Sequence, residues 1–306
     1  MNSGIRMACK QNTASGRTLR HQPALHWLSA LVTAVLLMGC ERAVPEASRK
    51  PNAVESTKFT GKLLVTGSST TAPLMSKIAQ DFTQLHPDVA IKVEMGGSGR
   101  GISDARDGKA DIGMVSRVLT EQDKDLTGFP VARDGVGILV NAANPVSTVS
   151  QQQAADIFTG KVRNWKDVGG RDRPIIVISR ADGRGSTELL KHHFKLKQSD
   201  LHAQKTLADN TEAIASVGAD ADAITLMSIV VTEHLAQNKK AVKMLALDGV
   251  TATSRNIVTG NYPLSRPLTL VTKALPSGLT KAFIEFALSS QAVETIRTMG
   301  FVPYQE

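Results

Sequence analysis

The stretch Lys62–Leu74, KLLVTGSSTTAPL, carries the pattern from which the fold is read. Lys62–Thr66 is an apolar, β-branched strand pattern. Gly67–Thr71 is a turn of glycine and hydroxyl residues. Pro73 then suits a helix start, and Leu74, Ile78, Phe82 and Leu85 recur at helical spacing along Pro73–His86. Strand, hydroxyl-rich turn and helix follow one another without a break.

The same order returns along the chain. Val89–Glu94, Ile112–Val115, Val136–Asn141, Ile175–Ser179 and Leu268–Thr272 read as strands. Gly101–Asp107, Ala154–Phe158, Thr187–Phe194, Thr211–Val217, Thr280–Leu288 and Gln291–Met299 read as helices. This βαβα alternation predicts α/β domains with largely parallel sheets. The length of 306 residues suggests about two of them.

Two further turns resemble the first: Gly96-Gly97-Ser98-Gly99-Arg100-Gly101 and Arg180-Ala181-Asp182-Gly183-Arg184-Gly185-Ser186-Thr187. Each sets backbone N–H groups and hydroxyls at the positive end of a helix, which suits an oxyanion. Ser and Thr are also ordinary helix caps, so one such turn says little. Three turns offer donors from several directions. At roughly 1.5–3 kcal/mol for each charge-assisted bond, a few of them exceed the ~8 kcal/mol of a micromolar site.

Other chemistry is poorly supported. Gly96–Arg100 fails the nucleophile-elbow pattern at its last position. Ser103 stands where a phosphate-loop motif before Lys109 needs its first glycine. Gly97 and Gly99 lack the third glycine of a dinucleotide fingerprint. The adjacent His192 and His193 face different ways on a helix and make a poor metal pair. No cofactor, metal or enzymatic activity is expected.

The net charge of +8 is no sign of nucleic-acid binding. Residues 1–40 hold Arg6, Lys10, Arg17 and Arg20 and no acid, half of the excess. There a basic flank leads into the apolar Trp27–Met38 and then Gly39-Cys40, a secretory signal pattern. Leu37-Met38-Gly39-Cys40 resembles the lipobox of bacterial lipoproteins. That resemblance implies a signal peptide over 1–39, started at Met1 or Met7, and lipid on Cys40. The polar residues 40–60 read as a flexible tether. With Cys9 removed, Cys40 would be the last cysteine, and no internal disulfide is possible.

From Gly61 to Tyr304 the sequence resembles the phosphate-binding proteins of bacterial phosphate ABC transporters. GSSTTAPL at Gly67–Leu74, Gly97-Ser98-Gly99, Ala110–Arg117, IFTGKVRNW at Ile157–Trp165, RADGRGST at Arg180–Thr187, YPLSRPL at Tyr262–Leu268 and MGFVP at Met299–Pro303 occur in the family's order.

The resemblance implies a two-lobed α/β venus-flytrap, the type II periplasmic-binding-protein fold. Lobe one would be 61–135 plus 269–306 and lobe two 140–261, with crossings at 136–139 and 262–268. Carried over by position, the phosphate contacts are Ser69, Thr70, Ser98, Ser116, Arg180, Gly185 and Ser186. Asp182 would orient Arg180 or simply form the turn. Arg184, where serine is usual, would be a further ligand or an exposed side chain.

Many members carry an aspartate at the position of Arg117, where it accepts the proton of hydrogen phosphate. Here the acceptor would be Asp111, Asp182, the Ser116 hydroxyl or a backbone carbonyl, and phosphate is expected over sulfate. The implied partners are inorganic phosphate, an ABC permease and, through lipid, a membrane. The protein would be a monomer in the cell envelope, periplasmic or otherwise extracytoplasmic. A sensory or surface-interaction lipoprotein, a binder of another tetrahedral oxyanion, and an esterase or phosphatase using a loop serine are the alternatives.

Cys40→Ser removes the acceptor thiol and is expected to leave unprocessed, unlipidated precursor. Mass spectrometry of the purified protein checks this; an unmodified mature N-terminus at another residue in the wild type contradicts it.

Overall fold

The computed structural model describes residues 58–236 and 241–304. The leader, Cys40 and most of the tether lie outside them. Among the described residues no helix is long and apolar enough to cross a membrane.

Lobe one opens with β1 (Gly61–Gly67), α1 (Ala72–Leu85), β2 (Val89–Met95), α2 (Ser98–Asp107) and β3 (Ile112–Val115). β1 pairs in parallel with β2 and β3. The chain then enters β4 (Thr127–Asn141), a strand of 15 residues. Lobe two follows with β5 (Thr148–Val149), α3 (Gln151–Phe158), β6 (Ile176–Arg180), α4 (Gly185–Phe194), β7 (Lys205–Leu207), α5 (Asn210–Ala219), β8 (Ala223–Ser228), α6 (Ile229–Ala236), β9 (Val242–Leu247) and α7 (Ser254–Val258). The chain returns through β10 (Ser265–Thr272) and ends in α8 (Gly278–Ala287), α9 (Ser290–Thr298) and β11 (Val302–Pro303).

The sheets are mixed rather than largely parallel. Each lobe has a parallel triplet, β2-β1-β3 in one and β8-β6-β7 in the other. The long strands lie antiparallel to these. β10 pairs with β3 and β4 in one sheet, while β4 pairs with β8 and β9 in the other. β4 therefore belongs to both sheets. Its partner changes from Ser265 opposite Gly135 to Ser228 opposite Val136. Buried Tyr262 donates its hydroxyl to the Val136 carbonyl at 3.2 Å beside this change.

Two apolar cores result. Leu74, Ile78 and Phe82 of α1 pack on Val65, Ile112 and Phe283. Ile157 and Trp165 pack on Val136, Ile224 and Leu245. Trp165, the last residue of the IFTGKVRNW string, donates Nε1–H to the Asp222 carbonyl at 3.0 Å. Its role is to hold lobe two together.

Close backbone packing positions the first two glycine turns. α2 begins at Ser98 rather than Gly101, so its glycines lie in the helix. A Cβ on Gly101 would stand 2.6 Å from the Met114 carbonyl and 3.0 Å from that of Thr66. α2 thus lies directly on β1 and β3, bringing Ser98 to Ser116. Gly101→Ala is expected to destabilise the protein by about 1–3 kcal/mol, because backbone rather than a flexible side chain must move. Urea unfolding measures this, and anion affinity should fall with it.

Candidate functional site

The three turns meet in one cleft between the lobes. Ser68 Oγ accepts from the amides of Thr70 and Thr71, both at 3.2 Å, which folds the first turn. Ser68 Oγ donates to Ser116 Oγ at 2.9 Å. Ser98, first residue of α2, accepts from the Ser116 amide at 3.0 Å. Ser68, Thr70, Ser98 and Ser116 are all buried.

The third turn arrives from lobe two. Gly185 and Ser186 open α4, and Gly185 presses on lobe one. A Cβ there would stand 2.3 Å from the Ser116 carbonyl and 2.4 Å from its Oγ. Only glycine permits this approach. Across the same cleft the Gly99 amide donates to the Gly183 carbonyl at 3.0 Å, and Arg184 Nη1 to Ser69 Oγ at 2.8 Å.

Three guanidinium groups line the cavity: Arg180, Arg184 and Arg266. Arg180 is 3% exposed. It donates to the carbonyls of Ala208 and Asp209 at 3.0 and 2.8 Å and to Asn210 Oδ1 at 2.7 Å. Burial, then the charge of Arg184, brings its pKa down to about 10, so it stays cationic at neutral pH. Burial also lowers the pKa of Arg184.

Arg266 is the cross-strand partner of Asp134. Its Nη2 and Nε donate to Asp134 Oδ2 at 2.8 and 3.2 Å. Its Nη1 donates to the Ser116 carbonyl at 3.1 Å and its Nη2 to Thr70 Oγ1 at 3.2 Å. Burial pushes the Asp134 carboxyl up, against the pull of Arg266. Among the described residues the cleft's hydroxyls, amides and guanidinium groups can hold a small oxyanion, and its lining pairs no nucleophile with a base.

A family profile described as the PBP superfamily domain matches residues 52–291. The phosphate-binding protein PstS of Bacillus subtilis is 30% identical over 284 residues, covering 90% of this chain and 93% of that protein. The chain belongs to the phosphate-binding protein family of bacterial phosphate ABC transporters. Its members are binding proteins for transport, not enzymes. The fold matches a putative phosphate ABC transporter substrate-binding protein of Clostridium perfringens, solved with bound phosphate. The TM-score is 0.74 at 30% identity, covering 80% of this chain and 100% of that one. An ABC-type phosphate transport receptor of Vibrio cholerae matches with a TM-score of 0.68 at 31% identity, covering 79% and 100%.

In this member the cleft gathers all seven of the residues carried over by position: Ser69, Thr70, Ser98, Ser116, Arg180, Gly185 and Ser186. Arg184 joins them. Asp182 does not orient Arg180: its side chain is 73% exposed and lies 3.4 Å from Lys191 Nζ. The Ala208 and Asp209 carbonyls and Asn210 hold Arg180 instead. Asp111 is not in the cleft either, since its carboxylate accepts from the Leu64 amide at 2.7 Å. Arg117 turns away to Asp123 at 2.7 Å. Burial opposes the charge of Asp123, but Arg117 and Thr120 hold its pKa below the ordinary value.

Arg266, Asn210 and Asp134 were not identified from sequence as site residues. Arg266 stands inside the YPLSRPL string, which marked its segment but not its role. Asn210 opens α5, and its preceding Asp209 accepts from the Glu212 amide at 3.0 Å, a readable cap signal.

Gly185→Ala places a methyl group against the Ser116 carbonyl and should oppose lobe closure. Phosphate affinity is expected to fall by about 1–3 kcal/mol, with the fold of each lobe retained. Calorimetry and small-angle scattering with and without phosphate read the two effects.

Proposed function

We propose that the protein captures inorganic phosphate in the interlobe cleft and delivers it to an ABC importer, held at a membrane by lipid on Cys40. The observation that carries this reading is the convergence of donor turns from both lobes on a buried cleft with three guanidinium groups. The names of the relatives and the phosphate bound by the Clostridium perfringens protein support it.

In this reading Ser69, Thr70, Ser98, Ser116 and Ser186 donate hydroxyl and backbone hydrogen bonds. Gly185 offers its amide at the start of α4, and Arg180 supplies positive charge and its remaining N–H groups from a guanidinium held by Ala208, Asp209 and Asn210. Arg184, Arg266 and Asn210 complete the wall. Binding and release are the whole task, with lobes 61–135 plus 269–306 and 140–261 opening about crossings at 136–139 and 262–268. The protein acts outside the cytoplasm as a monomer, and nucleic acid is not a partner.

Titration calorimetry of ligand-stripped protein with phosphate tests the reading. Micromolar or tighter binding is expected; no heat at millimolar phosphate would overturn it. Arg180→Ala should weaken binding by about 2–5 kcal/mol, the scale for truncating a buried charged partner. Arg180→Lys should also lose affinity, since an ammonium cannot fork to two carbonyls and an amide. Unchanged affinity in the alanine variant would remove Arg180 from the site.

A further inference from the structure

We infer that Arg184 makes closure of the lobes conditional on an anion: its charge keeps the lobes apart when no anion is bound, and its hydrogen bond to Ser69 fastens them once an anion balances that charge. This rests on the reading of the cleft as an oxyanion site.

The first ground is the position of Arg184. It is the N-cap residue of α4 and makes no side-chain cap bond. Helix starts favour Ser, Thr, Asp or Asn at that place, whose oxygen satisfies an orphan amide, and the positive end of the helix disfavours a cation. The side chain reaches instead to the other lobe. It runs past Gly97, where a Cβ would stand 3.1 Å from Cδ and 3.2 Å from Nε, and Nη1 donates to Ser69 Oγ at 2.8 Å. A residue that is unfavourable for its own helix thus makes a contact that exists only between closed lobes.

The second ground is charge. The Ser69 hydroxyl accepts a hydrogen bond but brings no countercharge. Among the described residues no carboxylate lines the cavity. Asp209 acts on Arg184 through space and is exposed, so solvent screens it. Arg180 and Arg266 line the same cavity, and buried Asp134 pairs with Arg266. The starts of α1, α2, α4 and α5 add their positive ends, and neither α1 nor α2 carries an acid in its first turn. Covering Arg184 with lobe one removes water from a cation that gains no negative partner, the same cost that lowers its pKa. A bound anion reverses the balance, because its attraction to the guanidinium groups strengthens as water leaves.

Gly99 reports whether the lobes are closed. It stands in the first turn of α2, where its amide has no partner within the helix, and Gly97 before it has no side chain to cap it. Its amide donates to the Gly183 carbonyl of lobe two at 3.0 Å. Neither glycine belongs to the cavity lining.

The test is amide hydrogen exchange at Gly99, followed by NMR in ligand-stripped and phosphate-loaded protein. In the wild type, exchange should be at least about tenfold slower with phosphate than without. Arg184→Gln keeps a donor for Ser69 and removes the charge. Without phosphate, its Gly99 amide should exchange at least about fivefold more slowly than that of the ligand-stripped wild type. Arg184→Lys keeps the charge and should match the wild type without phosphate.

Slow exchange at Gly99 in the ligand-stripped wild type, unchanged by bound phosphate, overturns the inference. Equal exchange in the ligand-stripped wild type and Arg184→Gln does the same. Slowing in both the glutamine and the lysine variants also overturns it, since the charge would then not be the cause. Absence of phosphate binding to the wild type by calorimetry brings down phosphate capture, while the ligand-stripped comparison still decides whether the charge of Arg184 holds the lobes apart.

Discussion

The buried pair of Asp134 and Arg266 stands where the two sheets exchange a strand. Their side chains are 0% and 1% exposed. They face each other from β4 and β10, the two long strands by which the chain leaves lobe one and returns to it. Arg266 also fixes the Ser116 carbonyl just after β3 and the Thr70 hydroxyl of the first anion turn. Asp134 accepts from Ser228, the last residue of β8 in lobe two. Removing either partner leaves an uncompensated charge, on the order of 3–5 kcal/mol. The pair is thus less a source of net stability than a way to fix the floor of the cleft against both lobes.

The rest of the cleft follows from that floor. The positive charge gathered by Arg180, Arg184 and Arg266 is tolerable because each guanidinium is occupied by oxygen: carbonyls for Arg180, a hydroxyl for Arg184, a carboxylate for Arg266. These contacts also orient the hydroxyls. The same bonds that pin the side chains decide which atoms are left to meet a ligand, so packing and recognition are one network.

Much of this was legible locally. β1, α1, β2 and β3 lie within a residue or two of their sequence reading, because apolar periodicity and hydroxyl-rich turns are short-range signals. The three turns were readable for the same reason. The missed features depend on distant pairings. The first half of β4, Thr127–Gly135, contains Gly128, Pro130, Arg133 and Asp134 and does not read as a buried strand. It is a strand that buries Asp134 because Arg266, 132 residues later, neutralises Asp134 in register. β8 runs straight into α6 with no turn residue between Ser228 and Ile229, so no local signal separates them. Asp182 was the nearer acid in sequence, but Arg180 is held by the start of α5, some 30 residues on. The antiparallel β4 and β10 were likewise invisible to a rule that reads alternating elements as parallel sheets.

The backbone contact between Gly99 and Gly183 bears on residence time. A ligand sealed between the lobes leaves only when they part, and parting breaks this amide–carbonyl bond together with the Arg184–Ser69 bond. The Gly99–Gly183 bond lies outside the cleft lining, so its strength does not vary with the ligand held. Water replaces each bond as the lobes separate, which keeps the net cost of opening small. In the proposed carrier the dwell of a bound ion is thereby set partly by the Gly99–Gly183 bond, which joins two backbones outside the cleft lining, and release becomes tunable from the rim.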